Sequence, residues 1–153
     1  VIDTYSASSL AVDKDGNDQS LSGNDWIVVT ASQVLWDINN DYDMDTDDFV
    51  VPYDGIYFHD GQFRLVSMSN VTKVELTMFK RETEGDDYWF ILDEKPIASG
   101  QTECQLSSGT TFNFYEDERY TVKIKLYGTD PTASIDGDDD FTAWGYSFSR
   151  RLG

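Results

Sequence analysis

Apolar and polar residues alternate at every second position along much of this chain, the pattern of a half-buried β-strand. The clearest run is "YTVKIKLY", with Tyr120, Val122, Ile124 and Leu126 on one face and Thr121, Lys123 and Lys125 on the other. "KVELTMF" groups Val74, Leu76 and Met78, "TFNFY" groups Phe112 and Phe114, and "TAWGYSF" groups Trp144, Tyr146 and Phe148. Further strands are predicted at 26–31, 33–38, 49–52, 54–67 and 88–92. No stretch sustains the three-and-four spacing of an amphipathic helix. The intervening segments carry Gly, Asp, Asn and Pro, the residues that turn geometry favours. Many short strands separated by such turns predict an all-β, antiparallel sandwich or barrel. Residues 1–25, "VIDTYSASSLAVDKDGNDQSLSGND", are rich in Ser, Asp and Gly and read as a polar N-terminal arm or tether, leaving 26–153 as one folded domain.

Several predicted strands carry rings on both faces: Tyr57 beside Phe58, the run Tyr88-Trp89-Phe90, and Phe79 opposite the Val74 set. A monomer rarely exposes a large apolar patch, and aromatics are enriched in interfaces. The pattern therefore predicts that a second face is buried in an oligomer.

Charge changes the picture. Eleven basic residues stand against 29 acidic ones, a net charge of −18, and most of the excess is aspartate. Such a surface repels nucleic acid and anionic lipid, whose recognition needs basic patches. No apolar run approaches the roughly 18 residues of a membrane helix, so membrane insertion is not expected. The acids recur in nearly every polar segment, at 13–18, 37–48, 82–94, 116–118 and 136–140. Same-side aspartates on an extended strand sit about 6.8 Å apart and repel by roughly 0.6 kcal/mol in water before screening. Molar salt removes most of that. The dispersed acidity therefore predicts a protein adapted to concentrated salt.

Catalytic chemistry finds little support. His59 is the single histidine and Cys104 the single cysteine, and no Gly-x-Ser-x-Gly turn is present. Two carboxylates for glycosidic chemistry could be drawn by chance from 29. No enzyme is expected, and His59 reads as a satisfied or exposed strand residue. "DKDGND" places Asp13, Asp15 and Asn17 as a calcium loop would, but Asp18 stands where that loop needs glycine and Asn24 where it needs glutamate. "DYDMD" departs similarly, at Thr46 and Pro52. Asn70-Val71-Thr72 has the form of an N-glycosylation tripeptide, one short enough to arise by chance.

The segment "NNDYDMDTDDFVVPYDGIYFHDGQFRL" resembles the hallmark of the tumour-necrosis-factor-like jelly roll, in the version named for complement component 1q. Asn40, Tyr42, Thr46, Phe49, Pro52, Gly55 and Tyr57 stand at the matching places. Upstream, "IVVTASQVLWD" looks like the family's first strand pair, with Val34 and Trp36 pointing inward. Downstream, "FTAWGYSFSRRLG" looks like its last strand. There the family has Phe-x-Gly, whereas this chain has Phe141-Thr142-Ala143 and a glycine only at Gly145, which leaves that strand's register open. The resemblance spans roughly 26–150. It implies a homotrimer packed through aromatic-rich faces, with Tyr57, Trp144 and Tyr146 at or near the subunit contacts. It also implies that calcium, if bound, would be held by loop acids near the trimer axis, here Asp43, Asp45, Asp138 or Asp139; no other cofactor is expected.

Together with the acidity, the resemblance leads to the expectation of a non-enzymatic virion protein of a halophilic virus. It would sit on the virion surface as a capsid decoration, turret or tail-fibre head. Its partners would be its own copies, other virion structural proteins bound through the arm, and a host-surface glycan. A reading of another class is a carbohydrate-binding β-sandwich module on a cell or virion surface, with Trp89 or Trp144 as the sugar platform.

Overall fold

The structure is a computed structural model that describes residues 6–138 and 140–150. Among them there is no helix. Eleven strands run in chain order: β1 (Ser6–Asp13), β2 (Gln19–Ser22), β3 (Ile27–Val28), β4 (Gln33–Asp37), β5 (Tyr42–Asp43), β6 (Asp48–Val50), β7 (Gly55–Lys80), β8 (Asp87–Pro96), β9 (Cys104–Phe114), β10 (Arg119–Ile135) and β11 (Ala143–Arg150). Where the alternation predicts two strands, at 54–67 and around Val74–Met78, the chain forms the single 26-residue β7. Ser67 and Asn70 take left-handed φ values of 53° and 57° near its middle. This turn of the backbone lets one strand serve two layers.

The first half of β7 pairs with β11 on one side and β9 on the other, with Tyr57 opposite Phe148 and Phe112. β1 continues that layer beyond β11, and β4 lies beyond β1. The second half of β7 lies between β10 and β8. The far edge of β10 is covered in turn by β6, β3 and β2. The result is an antiparallel two-layer jelly roll with β7 common to both layers.

The space between the layers holds the alternating residues. Tyr57, Phe63, Leu65, Val74, Leu76, Met78, Leu106, Phe114, Ile124 and Leu126 are fully buried. Each large apolar side chain among them contributes about 1.5–3 kcal/mol relative to exposure. Aromatic rings from different strands stack here: Phe114 on Tyr120 at 4.0 Å, Phe49 on Tyr146 at 4.4 Å and Tyr57 on Phe148 at 4.5 Å between centroids.

The expected N-terminal arm is different in the structure. β1 is an interior strand of its layer, paired with β11 and β4, and Leu10 and Val12 are buried between the layers. β2 pairs with the end of β10 and buries Leu21. The apolar positions Leu10, Val12 and Leu21 are few and separated by Ser and Asp, so the period-two signal is diluted by polar neighbours. Residues 1–5 lie outside the described residues.

The loop after β1 buries a charge. Lys14 is 1% exposed, and its Nζ donates to Gln19 Oε1 at 2.9 Å, the Thr30 carbonyl at 2.7 Å and Thr30 Oγ1 at 2.9 Å. Burial pushes its pKa down from 10.5 to about 8, against the opposing fields of Asp47 and Asp18. Between those two values the unfolded chain binds more protons than the folded one, so this group makes stability rise with pH. Urea titrations from pH 8 to 9.5 should show that rise, up to about 1.4 kcal/mol per pH unit. Lys14→Met should abolish it; a wild-type profile flat or falling over this range would contradict the burial of the ammonium.

The register of β11 places Gly145 opposite Ala11 on one side and Asp60 on the other. A Cβ at Gly145 would stand 2.2 Å from the Leu10 carbonyl oxygen, a backbone atom that cannot move without parting β1 from β11. Gly145→Ala should therefore lower stability by about 1–3 kcal/mol. The check is a shift in the urea midpoint without a change in m-value.

Candidate interaction face

The layer β4-β1-β11-β7-β9 has one face in the core and one facing away from it. On the second face the strand registers align small residues between two ridges of large ones. Ala11 lies opposite both Trp36 and Gly145, and Ser147 lies opposite both Ser9 and Phe58. On one ridge Leu35, Trp36 and Ile38 are 46%, 54% and 63% exposed; on the other, Ile56 and Phe58 are 66% and 43% exposed. The Trp36 indole N–H donates to Ser9 Oγ at 3.1 Å, which fixes the ring over the strand beside it. Between the ridges runs an open trough of about 450 Å³, floored by Ala11, Ala143 and Gly145. A band of this kind loses water favourably only when another surface covers it.

A second exposed apolar group lies on β8, where Tyr88, Trp89, Phe90 and Ile91 are each at least 39% exposed. β8 pairs with β7 alone among the described strands, so its other edge keeps free backbone donors and acceptors.

The residues expected at or near the subunit contacts are buried within the single chain. Tyr57, Trp144 and Tyr146 are 0%, 4% and 3% exposed and point between the layers. Tyr57 also donates its hydroxyl to the Tyr53 carbonyl at 2.8 Å. The strands carrying them do border the exposed face, but period two assigns it to their neighbours Ile56, Phe58, Gly145 and Ser147. Trp36, expected inward, points outward, because the register of β1 and β4 shifts between Ala11 and Val12 and leaves only Val34 packed against the core. Burial removes Trp144 as a sugar platform; Trp89 remains half exposed, its ring edge-on to Tyr120 at 5.7 Å.

The acidic run at 37–48 is bound into the fold. Asp37 accepts the backbone N–H groups of Asp41 and Tyr42 at 2.9 Å each. Asp41 accepts the Ser8 hydroxyl, and burial raises its pKa. Asp47 accepts Ala31 N–H at 2.7 Å and the Tyr42 hydroxyl at 3.2 Å, and burial raises its pKa as well. Asp43, Arg119, Asp48, Arg81, Asp86 and Lys123 form a ladder of alternating charge, with successive gaps of 3.1, 3.3, 2.8 and 2.7 Å down to Asp86, which also contacts Lys123. The Asp45 N–H and Arg119 hold the Asp43 carboxyl below its usual range.

Of the acids considered for calcium, Asp43 and Asp45 stand together beside Asp117 and Arg119, and the Asp45 N–H donates to Asp43 at 3.0 Å. Asp138 lies beside a different cleft, with Gly16, Asp18 and Asp136, and accepts the Asp140 N–H at 2.9 Å. Asp139 lies outside the described residues. No three acidic, histidine or cysteine side chains among the described residues are grouped to hold one ion.

His59 is fully buried, and burial pushes its pKa down to about 3. Its Nδ1 lies 3.0 Å from the buried Ser108 Oγ, while Nε2 has no hydrogen-bond partner. A serine–histidine contact closed to solvent and without an orienting carboxylate offers no route for a substrate. Cys104 has its thiol pushed up to about 11 by burial, away from the reactive thiolate.

No family model matches this chain, and no curated protein does. Solved structures do. The crystal structure of murine APRIL at pH 5.0 aligns with a TM-score of 0.65 and 15% identity, over 93% of this chain and 98% of that one. The structure of Eiger TNF from S. frugiperda aligns with a TM-score of 0.67 and 9% identity, over 97% of this chain and 95% of that one. At such identities the likeness defines the fold: an all-β, tumour-necrosis-factor-like jelly roll.

Asp48 is the central rung of the charge ladder, 2% exposed and touching both Arg81 and Arg119. Asp48→Asn should cost about 1–3 kcal/mol, with a smaller loss in molar salt, where the two partly exposed arginines are screened. Denaturant midpoints of both proteins at low and high chloride provide the measurement.

Proposed function

We propose that this protein is a non-enzymatic homotrimer whose copies meet through the apolar trough and ridges of the β4-β1-β11-β7-β9 layer, and that it acts as a recognition or structural module. The observation that carries this reading is the exposure of Leu35, Trp36, Ile38, Ile56 and Phe58 on one face of a chain otherwise rich in surface charge. The exposed apolar edge at β8 supplies a different patch on the same molecule. Two unlike patches on one subunit give head-to-tail contacts, and these close into a ring when the rotation allows.

The setting we propose is the surface of a virus particle in concentrated salt. The net charge of −18 supports the salt, because strong brine screens repulsion that dilute buffer leaves in place. The family resemblance supports a decoration, turret or fibre-head role over a catalytic one. A carbohydrate-binding module that works as a monomer is the competing reading, and it would rest on the half-exposed Trp89.

Light scattering in molar salt separates the two. A particle of three times 17.4 kDa is expected, and a stable monomer would overturn the assembly. Phe58→Asp and Trp36→Asp should each convert the trimer to a monomer while leaving the circular dichroism of the β-sandwich unchanged, since both side chains already face water in the single chain.

A further inference from the structure

We propose that Asn70 is a modification site that carries an N-linked oligosaccharide. Asn70-Val71-Thr72 is the only Asn-x-Ser/Thr tripeptide in the chain, and the fold presents it as a carrier would need. Asn70 sits where β7 passes from one layer to the other. The β7–β10 register breaks there, between Gly128 opposite Val71 and Thr132 opposite Ser69. Its φ of 57° lies in the left-handed region that asparagine tolerates. Its side chain is exposed and makes no hydrogen bond or ion pair to any described residue. Val71, between the two reading positions, turns the other way and is 8% exposed, so Asn70 and Thr72 both face water.

Two further features fit a sugar at this place. The opposing strand is held close by Gly128, where an added Cβ would meet the Asn70 carbonyl oxygen at 1.8 Å. The backbone at Asn70 is thus fixed, and bulk can be accommodated only on the water side. Beside it opens a cleft of about 520 Å³ whose lining, including Ser69, Thr72, Gln101 and Thr102 over Val71 and Ile97, contains no charged residue. In a chain with 29 acids and 11 bases, an uncharged wall of hydroxyls, amides and apolar carbons suits the polar and C–H faces of a first, neutral sugar. Asn70 is also distant in register from Ile56 and Phe58, at the opposite end of the first half of β7. A glycan there leaves the proposed subunit contacts open.

The transfer uses a lipid-diphosphate-linked oligosaccharide as donor. A bond forms between Asn70 Nδ2 and the anomeric carbon, the anomeric C–O bond to the diphosphate breaks, Nδ2 gives up one proton, and the lipid diphosphate departs. The Thr72 hydroxyl, which such transfer must read, donates in the folded protein to the Tyr127 carbonyl at 3.1 Å. Modification therefore precedes the pairing of β7 with β10, and folding then leaves the glycan outside.

The test is expression of the full chain behind a cleavable secretion signal in a eukaryotic host that glycosylates, followed by intact-mass measurement. Wild type should carry the mass of one oligosaccharide, and the amidase that releases N-glycans should return the polypeptide with aspartate at position 70. Thr72→Ser should keep the glycan; Thr72→Ala and Asn70→Asp should lose it. Aspartate tolerates the left-handed φ, so Asn70→Asp reports on the site without strain. Treated and untreated protein should share one unfolding midpoint and one subunit number. A bare polypeptide mass for wild type, retention of sugar in Asn70→Asp, or loss of assembly on glycosylation would each overturn the proposal.

Discussion

The aromatic packing between the two layers is the interaction on which everything else rests. Cohesion between the layers comes from rings contributed by different strands, two of the three closest pairs joining strands far apart in sequence. Tyr57 and Phe148, Phe49 and Tyr146, and Phe114 and Tyr120 meet at 4.0–4.5 Å. Such contacts add about 0.5–1.5 kcal/mol each beyond the area they bury. β7 makes them mutually dependent, because its first half supplies Tyr57 to one layer while its second half supplies Leu76 and Met78 from the other. Hydrogen bonding of β7 to four partners means that neither layer can shift alone.

Electrostatics is organised around that core rather than spread evenly over the surface. The segment 37–48 looks like a site of uncompensated repulsion when only its six aspartates are counted. In the fold, Asp37, Asp41, Asp43, Asp47 and Asp48 each accept hydrogen bonds or ion pairs. Asp37, Asp43 and Asp47 satisfy backbone donors that a short, irregular connection cannot pair with a neighbouring strand, while Asp41 takes the Ser8 hydroxyl and Asp48 the two arginines. Asp45 is the exception in the run, exposed at the turn. The acids free to act as a hydrated coat therefore lie mainly in other loops, and the run itself is largely architectural.

The same period that fills the core decides what the outside offers. On β7, Tyr57 points in and both Ile56 and Phe58 point out; on β11, Trp144 and Tyr146 point in and Gly145 and Ser147 point out. The layer therefore presents ridges and a trough rather than a flat sheet, and the small residues that let β1 and β11 approach closely also form its floor. Stability and self-recognition are thus linked through one set of strands. Asn70, at the corner where β7 changes layers, lies apart from both.

Residue order alone determined the all-β class, borne out by the lack of any helix among the described residues, and which residues share a face on β7, β10 and β11. These follow from local backbone period and turn chemistry, which act over a few residues. Alternation states which residues share a face but not which face meets a partner layer, so Tyr57, Trp144 and Tyr146 read equally as core or contact. A single register shift between Ala11 and Val12 reverses Trp36, and no local pattern announces it. The first strand was hidden because its apolar residues are sparse and its partner β11 lies at least 130 positions away by register. The partners of Asp43, Asp48 and His59 lie 76, 33 and 49 residues distant. Only the tertiary structure decided these, because burial and charge pairing depend on which surfaces fold against each other, and that is a property of the whole chain.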